Sequence, residues 1–393
     1  MEVFSLKKSY LTFFALLLSA SIAFSTHSTL AVDSAAQTAP ATTAPPSTNT
    51  AEPAATPPAD NSTLNLSLED ALKSVETGNS TLKLTDSQIE IYDKQNEQTL
   101  ARQNANIPVV DEDSKKDLSL NYKRTQWTLD NAKHDRDTKL KALKVQITNE
   151  YEGVLTLRQQ AENTKKQLAN LETIINQVNL QIKLGLKIPS DIYSYNAQKT
   201  RLEASVKAIT NTVNSSMITL KQDLGIDINR NVILTSDPIQ YTVFDEKDIY
   251  GRITKATQDN YDLKKYKEDI DISQIEYDID FFYDDTMVAD QVQLGIEDKK
   301  AKLQTLPVNQ EVQLKTAYNS LKSLENTIEA DKLAVEADQI NVDVMQKSID
   351  AGKMSSLDMI ALQNALLNDQ FTLQQDTNTY MTAAMNFQNS LDN

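Results

Sequence analysis

The sequence predicts an all-α protein with two long αα-hairpins in tandem and little or no β-structure. The first observation is a motif that occurs twice, as GLKIPSD at residues 185–191 and as GKMSSLD at residues 352–358. Each copy lies between two long runs of helix-forming residues, as the tip of a helical hairpin does. The second observation is that the offset of 167 positions (185 to 352) holds without a gap back to Tyr151 and Tyr318. Because this repeat accounts for most of the chain, it defines the predicted fold.

The first residues of each motif are suited to ending one helix and starting the next. Gly185 and Gly352 can adopt the left-handed conformation that follows many helices, which costs other residues a clash of the Cβ atom. Pro189 fits the first position of the next helix, where no N–H group is needed. In the second copy, Ser355 can cap the next helix. Both motifs are therefore predicted to be hairpin tips.

Two aspartates at matching positions of the tips are the candidate functional residues. Asp191 and Asp358 each fall in the first turn after the tip, where the helix dipole favours negative charge. The simplest interpretation is helix capping, with Asp358 and Ser355 as the two halves of a capping box. A functional role of both carboxylates at the tips is the alternative.

The first 64 residues are predicted to precede the helical body. Residues 1–31 have the pattern of a secretory signal peptide, with Lys7 and Lys8 before 14 mostly apolar residues and a small-residue cleavage region. Residues 32–64 are rich in Ala, Thr, Ser and Pro and cannot bury enough apolar surface to offset the entropy of ordering. We therefore expect an exported protein with a disordered linker before the folded part.

Each repeat is predicted to begin with shorter helices. Residues 66–72 have the pattern of a cap followed by a short amphipathic helix that ends at Gly78, and a second helix is expected over residues 81–105. The start of this second helix recurs 181 positions later, at Asn260 after Asn79. The duplication therefore includes these leading helices.

A heptad pattern marks the first hairpin. Residues 119–184 contain no proline and one glycine, and small or apolar side chains recur in alternating steps of three and four. The return helix over residues 190–224 continues the pattern. The positions are Ala161, Thr164, Leu168, Leu171, Ile175, Val178 and Ile182, then Ile192, Tyr195, Leu202, Val206, Ile209, Val213 and Leu220. The pattern predicts an antiparallel coiled coil of about 100 Å, at 1.5 Å per residue.

The two repeats are predicted at residues 65–226 and 248–393, joined by a crossover at 227–247. The crossover breaks the helical pattern, and its residues 232–234 and 241–244 could form two short strands or an extended segment.

The second repeat is predicted to contain a connector between its leading helices and its hairpin. This connector extends to Pro307, and a long helix follows from about residue 308 to 351, with the last helix over residues 355–391. Residues 281–283 form an aromatic cluster in the connector and are predicted to be buried in the core or in an interface.

The composition excludes several classes of function. With 39 basic and 55 acidic residues the net charge is −16, so the basic face that nucleic acid needs is not expected. The chain has no cysteine and two histidines, which excludes disulfides and thiolate or histidine-rich metal sites. His134 lies in a charged run and is predicted to face solvent. No motif for a nucleophile, a phosphate loop or a zinc hydrolase occurs, so we expect neither an enzyme nor a cofactor.

The set of motifs resembles the TolC-like outer-membrane efflux proteins. Residues 66–72 with Gly78 and Asn79 resemble the opening motif of that family, and the recurring tyrosines and Gly-x5-Asp tips resemble its hairpin signatures. The resemblance covers roughly residues 65–391. It implies an α-barrel body in which three chains form a tunnel of twelve helices, closed at the tips and opened by an inner-membrane pump and its adaptor.

The resemblance also implies site residues, partners and location. Gly185, Asp191, Gly352 and Asp358 would lie at the pore constriction, where the acidic side chains contribute to cation preference. The implied partners are two further copies of the chain, and an adaptor and export pump at the tips. The implied location is the cell envelope, as outer membrane or periplasm in a host with two membranes and an extracytoplasmic site otherwise.

The strands by which the family crosses the outer membrane are not evident in this sequence. The corresponding segments, residues 106–118 and 281–306, are too short or too charged for membrane strands of about 9–11 residues. We therefore expect a helical body without a transmembrane β-barrel. Two functions stay open: a conduit component of an export or efflux system, and a coiled-coil spacer or scaffold of the envelope that has lost the pore. A periplasmic adaptor fits less well, because this chain has two hairpins and only seven glycines.

Overall fold

The computed structural model describes residues 62–105, 107–354 and 356–392. The predicted signal peptide, nearly all of the predicted linker and Ser355 lie outside this part of the chain. The described residues are almost entirely helical, which confirms the predicted all-α class. Their elements are β1 (Leu64–Leu66), α1 (Leu68–Gly78), α2 (Ser80–Gln103), α3 (Glu112–Ser119), α4 (Asn121–Lys183), a 3-10 turn (Pro189–Asp191), α5 (Ile192–Asp223), β2 (Val232–Leu234), α6 (Ile249–Gln258), α7 (Tyr261–Phe282), α8 (Thr286–Asp350) and α9 (Ser356–Leu391).

In the half of the molecule nearest the tips, the long helices lie in the order α5, α4, α9, α8. α4 packs against α5 and α9, and α9 packs against α8. The Asn163 amide donates to the Leu367 carbonyl at 3.1 Å, and the Asn170 amide donates to Asn364 Oδ1 at 3.2 Å. Because the partner number falls as the number in α4 rises, α4 and α9 run antiparallel. Since α9 starts at its tip and α4 ends at its own, both tips lie at the same end.

In the other half of the molecule, α2 and α7 accompany the two longest helices. α2 packs against α4, and α7 packs against both α4 and α8. Trp127 Nε1 donates to the Lys265 carbonyl at 3.3 Å, and the Tyr261 hydroxyl donates to Asn131 Oδ1 at 3.1 Å. Both contacts join α4 to α7. α4 and α8 therefore take part in both halves of the layer.

Two hydrophobic clusters lie where α1 and α6 meet the long helices. The first cluster joins α1, α4, α5 and the two strands, and the second joins α6, α8 and α9. Several buried members are 167 positions apart, namely Ile147 and Leu314, Val154 and Leu321, and Leu220 and Phe387. The two halves of the chain thus build their cores from matching positions.

The two strands form a parallel pair at the first cluster. Leu64 lies beside Val232, and Leu66 lies beside Leu234. β2 agrees with one of the two strands considered for the crossover, whereas residues 241–244 have no regular secondary structure. β1 is not predicted by the sequence. Three residues that pair with a segment so distant in the chain leave no local pattern.

The side chain of Tyr151 joins this strand pair to α4. Its ring is fully buried, and its hydroxyl donates to the Leu66 carbonyl at 2.9 Å. The same oxygen accepts from the amides of Thr235 at 3.1 Å and Ser236 at 3.0 Å. Tyr318, at the matching position of the second repeat, is only half-buried.

In the second repeat, Tyr380 of α9 is the tyrosine that connects the crossover to the hairpin. Its buried hydroxyl accepts from the Phe244 amide and donates to Glu325 Oε1, both at 2.8 Å. Burial raises the pKa of Tyr380, and the neighbouring Glu325 carboxylate raises it further. The single crossover is therefore held by one tyrosine from each repeat, Tyr151 of α4 and Tyr380 of α9.

Both leading helices of the first repeat begin with a side-chain cap, of which the sequence predicts the first. Ser67 Oγ accepts from the Asp70 amide at 3.1 Å and so caps α1. Asn79 Oδ1 accepts from the Thr81 amide at 3.0 Å and caps α2, while its Nδ2 donates to the Asp223 carbonyl at 2.8 Å. Asn79 therefore both starts α2 and holds the end of α5.

The prediction of a non-helical connector before Pro307 is wrong. α8 runs continuously from Thr286 to Asp350, with Pro307 inside the helix. A proline removes one helical hydrogen bond, and here the flanking residues remain helical on both sides. In the first repeat, much of segment 106–118 belongs to α3, which starts at a capping box of Asp111 and Ser114.

Two predictions about aromatic and charged clusters are also corrected. His134 is not a solvated residue, because its ring stacks on Tyr261 of α7 with centroids 3.5 Å apart and planes inclined by 8°. Phe281 and Phe282 are not buried in the core. They are 62% and 79% exposed at the end of α7, before a turn at Asp284 with φ of 64°. A role in an interface stays a prediction.

Candidate functional site at the hairpin tips

The first tip is a regular helix ending. Gly185 has φ of 72°, the left-handed conformation expected there. Its amide donates to the Ile182 carbonyl at 3.0 Å, and the Leu186 amide donates to the Gln181 carbonyl at 2.8 Å. This pair of bonds is a Schellman motif, which satisfies carbonyls that the end of α4 would leave without partners. Pro189 then opens the 3-10 turn before α5.

The second tip repeats this geometry. Gly352 has φ of 68°, and its amide donates to the Ile349 carbonyl at 2.8 Å. The Lys353 amide donates to the Ser348 carbonyl at 2.9 Å. Within the described residues, the two tips therefore share the left-handed glycine and the same pair of hydrogen bonds, as well as the sequence motif.

Asp191 does not cap a helix by its side chain. It lies in the 3-10 turn and precedes α5, and its carboxylate makes no hydrogen bond to the first amides of that helix. Its half-buried position near the start of α5 still places a negative charge where the helix dipole favours one. Asp358 lies in the first turn of α9, and its side chain is outside what the structure describes. Asp191 therefore does not cap α5 through its carboxylate, contrary to the simplest interpretation.

Large apolar side chains surround the first tip, and we call these residues the tip patch. The sequence analysis missed them, although Leu184, Leu186 and Ile188 alternate across a turn where no core is available. Exposed apolar groups at one end of a molecule mark an interaction surface more often than isolated ones do. The members and their exposed fractions are Leu180 (58%), Leu184 (64%), Leu186 (72%), Ile188 (63%) and Tyr193 (71%), with Met354 (45%) on the second tip.

The outer helices of the layer also expose apolar side chains. α8 presents Leu333 (66%), Ile340 (54%) and Val344 (57%) away from its seam with α9. α5, at the opposite edge, presents Ile218 (48%). In the described residues, α5 and α8 are not among the helix pairs that pack along their lengths. The layer therefore has two edges with apolar positions available for another chain.

The described residues contain no group of three or more His, Asp or Glu side chains arranged to hold a metal ion. None of their helices combines the length and the apolar character needed to span a bilayer. What the arrangement offers is a long helical layer with acidic and apolar groups at one end.

This architecture, two antiparallel hairpins side by side with their tips together, is similar to that of solved bacterial outer membrane proteins. No protein-family profile matches the sequence, and no curated protein matches it at a significant level. The similarity is found in the structure.

Similar solved structures include those of three bacterial proteins. They are the CmeC outer membrane channel of Campylobacter jejuni (TM-score 0.66, 9% identity), the outer membrane protein VceC of Vibrio cholerae (0.56, 12%) and the open state of the MtrE outer membrane channel of Neisseria gonorrhoeae (0.55, 11%). Each alignment covers 82% of this chain, and it covers 85%, 94% and 88% of the respective proteins. At such low identity the likeness shows the fold and leaves the function to be tested.

Proposed function

We propose that the protein is a TolC-like conduit component of an export or efflux system in the cell envelope. Three copies assemble side by side, and their helical layers close into a tunnel. The tips carry the constriction and receive an adaptor and an inner-membrane export pump. Neither catalysis nor a cofactor has a part in this function.

The observation that carries the proposal is the open four-helix layer with both tips at one end. A single layer leaves apolar side chains of α5 and α8 in water, and a ring of copies would cover them. The similarity in fold to solved outer membrane channels supports the same arrangement.

Two features of the tips support their proposed role. Asp191 makes no capping hydrogen bond, so its charge is available to a pore, and Asp358 occupies the matching position of the second repeat. The tip patch provides apolar surface of the kind that protein interfaces bury. The adaptor would therefore dock on the tip patch, and the carboxylates would line the axis.

The mass of the mature chain in solution tests the assembly. Size-exclusion chromatography with light scattering should give the mass of three chains at micromolar concentration. The double variant Leu333→Asp, Ile340→Asp should dissociate the assembly, because it places charges on the exposed edge of α8 and leaves the α8–α9 seam intact. Circular dichroism checks that the variant keeps its helices. A monodisperse monomer of the unmodified chain would refute the conduit and favour the spacer or scaffold.

A further inference from the structure

The seam of the second hairpin carries four aspartates at positions that normally hold apolar side chains. In α8 the seam follows the heptad pattern through Ile328, Asp331, Val335, Asp338, Val342, Met345 and Ile349. In α9 the facing positions include Asp369, Leu373, Asp376 and Tyr380. All four aspartates are half-buried between the helices. Ionised carboxylates are costly at such positions, because desolvation disfavours their charge.

The aspartates form two pairs across the seam. The carboxyl groups of Asp376 and Asp331 are within hydrogen-bonding reach of each other, and so are those of Asp369 and Asp338. Asp331 Oδ2 is buried and accepts no hydrogen bond from any other group. Burial and the facing carboxylate raise the pKa of Asp376 to about 6, and burial together with Asp338 raises the pKa of Asp369. A contact between two carboxyl groups is attractive only when a proton lies between them.

The first hairpin has no acidic residues at the matching positions. At the offset of 167 residues, the pair Asp331 and Asp376 corresponds to Thr164 and Ile209, and the pair Asp338 and Asp369 corresponds to Leu171 and Leu202. These four side chains are buried or half-buried in the seam of α4 and α5. The acidic pairs are thus a property of the second hairpin and not of the fold.

No cation in the described residues neutralises the pairs by an ion pair. α9 contains no lysine, arginine or histidine. On α8, Lys332 bonds to Glu329 at 2.8 Å and lies over the ring of Tyr241, and the other charged groups of this stretch are Glu336, Asp343 and Lys347. On α4, which packs against α9, Lys165 bonds to Glu162 at 2.6 Å. Arg158 and Lys166 of α4 form no ion pair with the four aspartates, within the part of the chain that the structure describes.

We propose that the α8–α9 hairpin is a pH-sensitive element. Its two helices pack closely around the two aspartate pairs while each pair shares a proton, and they separate there when both carboxyls of a pair ionise. The matching stretch of the α4–α5 seam, around Thr164, Leu171 and Leu202, has no acidic pair and keeps its packing over the same range. Between the two hairpins, the response of this stretch of seam is therefore confined to α8–α9.

The direction of the response follows from the raised pKa of Asp376. A group whose folded-state pKa lies above its unfolded value contributes stability that is fully present below the unfolded pKa. That contribution is lost as the pH rises through about 6, the value for Asp376 in the folded chain. Acidification from neutral pH should therefore tighten the seam.

Spin labels placed across each hairpin test the proposal. The chain has no cysteine, so the exposed pair Glu336→Cys, Gln370→Cys can be labelled without removing other thiols. The exposed pair Ala169→Cys, Glu203→Cys occupies the matching positions of the first hairpin and is the control. Between about pH 8 and pH 5, the distance distribution of the α8–α9 pair should narrow and shorten, and that of the control pair should stay constant.

Variants of the aspartates decide between the pairs and other titrating groups. The quadruple variant Asp331→Thr, Asp376→Ile, Asp338→Leu, Asp369→Leu gives the second hairpin the seam of the first and should lose the pH response. The milder variant Asp376→Asn, Asp369→Asn keeps neutral donors facing Asp331 and Asp338 and should lose it as well, even if the quadruple variant does not fold. A constant distance in the unmodified seam, an equal response in both hairpins, or a response that survives the asparagine variant would overturn the proposal.

Discussion

At the scale of single residues, the Tyr151 hydroxyl should contribute measurably to the stability of the fold. It satisfies the Leu66 carbonyl and two crossover amides, all within 3.1 Å, in a fully buried position. Tyr151→Phe keeps the ring but removes three hydrogen bonds and leaves the Ser236 amide without this acceptor, while the Thr235 amide still donates to the Leu66 carbonyl at 3.0 Å. The variant should therefore destabilise the fold by about 1–3 kcal/mol. Denaturant unfolding at fixed protein concentration measures this loss.

The matched control for this prediction is Tyr318→Phe. Tyr318 lies at the corresponding position of the second repeat, but it is half-buried, and its hydroxyl bonds to the side chain of Glu246. Since water can replace that contact, the loss should be under about 1 kcal/mol. Equal losses in both variants would mean that the buried bonds of Tyr151 do not hold the crossover.

Two glycines should respond to alanine with opposite signs. Gly225 has φ of 68°, and a Cβ built on it lies 2.2 Å from the Gly78 carbonyl oxygen. Gly225→Ala should therefore destabilise the fold by more than about 2 kcal/mol, because both the conformation and the space exclude a side chain. Gly153 lies inside α4, and apart from the adjacent residues and the backbone of α4 itself no atom is within 4 Å of a Cβ built on it, so Gly153→Ala should stabilise by about 0.5–1 kcal/mol. Thermal melts of the two variants provide the comparison.

Single residues were predictable where the backbone alone decided their role. Gly185 and Gly352 adopt the left-handed conformation because a helix ending requires it, and Ser67 caps α1 because its hydroxyl is one residue before the helix. His134 was not predictable, since its stacking partner Tyr261 is supplied by another helix. The sequence around His134 contains only its own charged neighbours.

At the scale of helices, the contact of α4 with α5 near the first cluster should depend on pH. Burial raises the pKa of Glu150 to about 7, and the Asp223 carboxylate of α5 opposes its ionisation. Gln146 Nε2 donates to both carboxylates at 2.8 Å. Because the pKa is raised on folding, the stabilising contribution is present at low pH and is lost as the pH rises through about 7.

Glu150→Gln tests this dependence. The amide cannot ionise, so at about pH 8 the variant should be more stable than the unmodified chain by about 1 kcal/mol, a modest figure because the group is partly exposed and water screens it. At about pH 5 the two should be equal. Unfolding measured at both pH values would contradict the assignment if the variant were no more stable at the higher one.

The sequence predicted best the helices in which apolar residues recur at regular spacing. The heptad seam at Ala161, Leu171 and Val178 is buried as predicted, because it depends only on spacing within one helix. The strand β1 depends on a partner far along the chain, which is a tertiary effect that a local pattern does not contain. α8 continues through Pro307, whereas the tendency of proline to end a helix predicts a break there. The acidic pairs of the second seam were readable from the sequence by aligning the repeats at the offset of 167 residues.

At the scale of the whole molecule, the residue pattern predicted two tips, and only the family resemblance implied that they lie together. That both lie at one end follows from the antiparallel contact of α4 with α9, through amides such as Asn163 and Asn170. The spacing of apolar residues does not predict polar contacts of this kind between helices. The apolar tip patch is equally absent from the seam pattern, because most of the surface of its side chains stays exposed. The residue pattern therefore gave the candidate site as two separate motifs, and the contacts of α4 with α9 bring the two tips to one end.

The tip aspartates make the last prediction, which concerns the assembled protein. Asp191→Asn, Asp358→Asn should leave thermal melting almost unchanged, because Asp191 makes no capping bond and only a charge–dipole contribution of about 0.3–1 kcal/mol is lost at each site. If three copies surround a pore, the same variant removes up to six carboxylates from its narrowest part and should reduce cation selectivity in a reconstituted bilayer. Asp137→Asn, an exposed acid of α4 remote from the tips, is the control and should conduct as the unmodified chain does. Unchanged selectivity in the tip variant, or an equal change in the control, would remove these aspartates from the constriction.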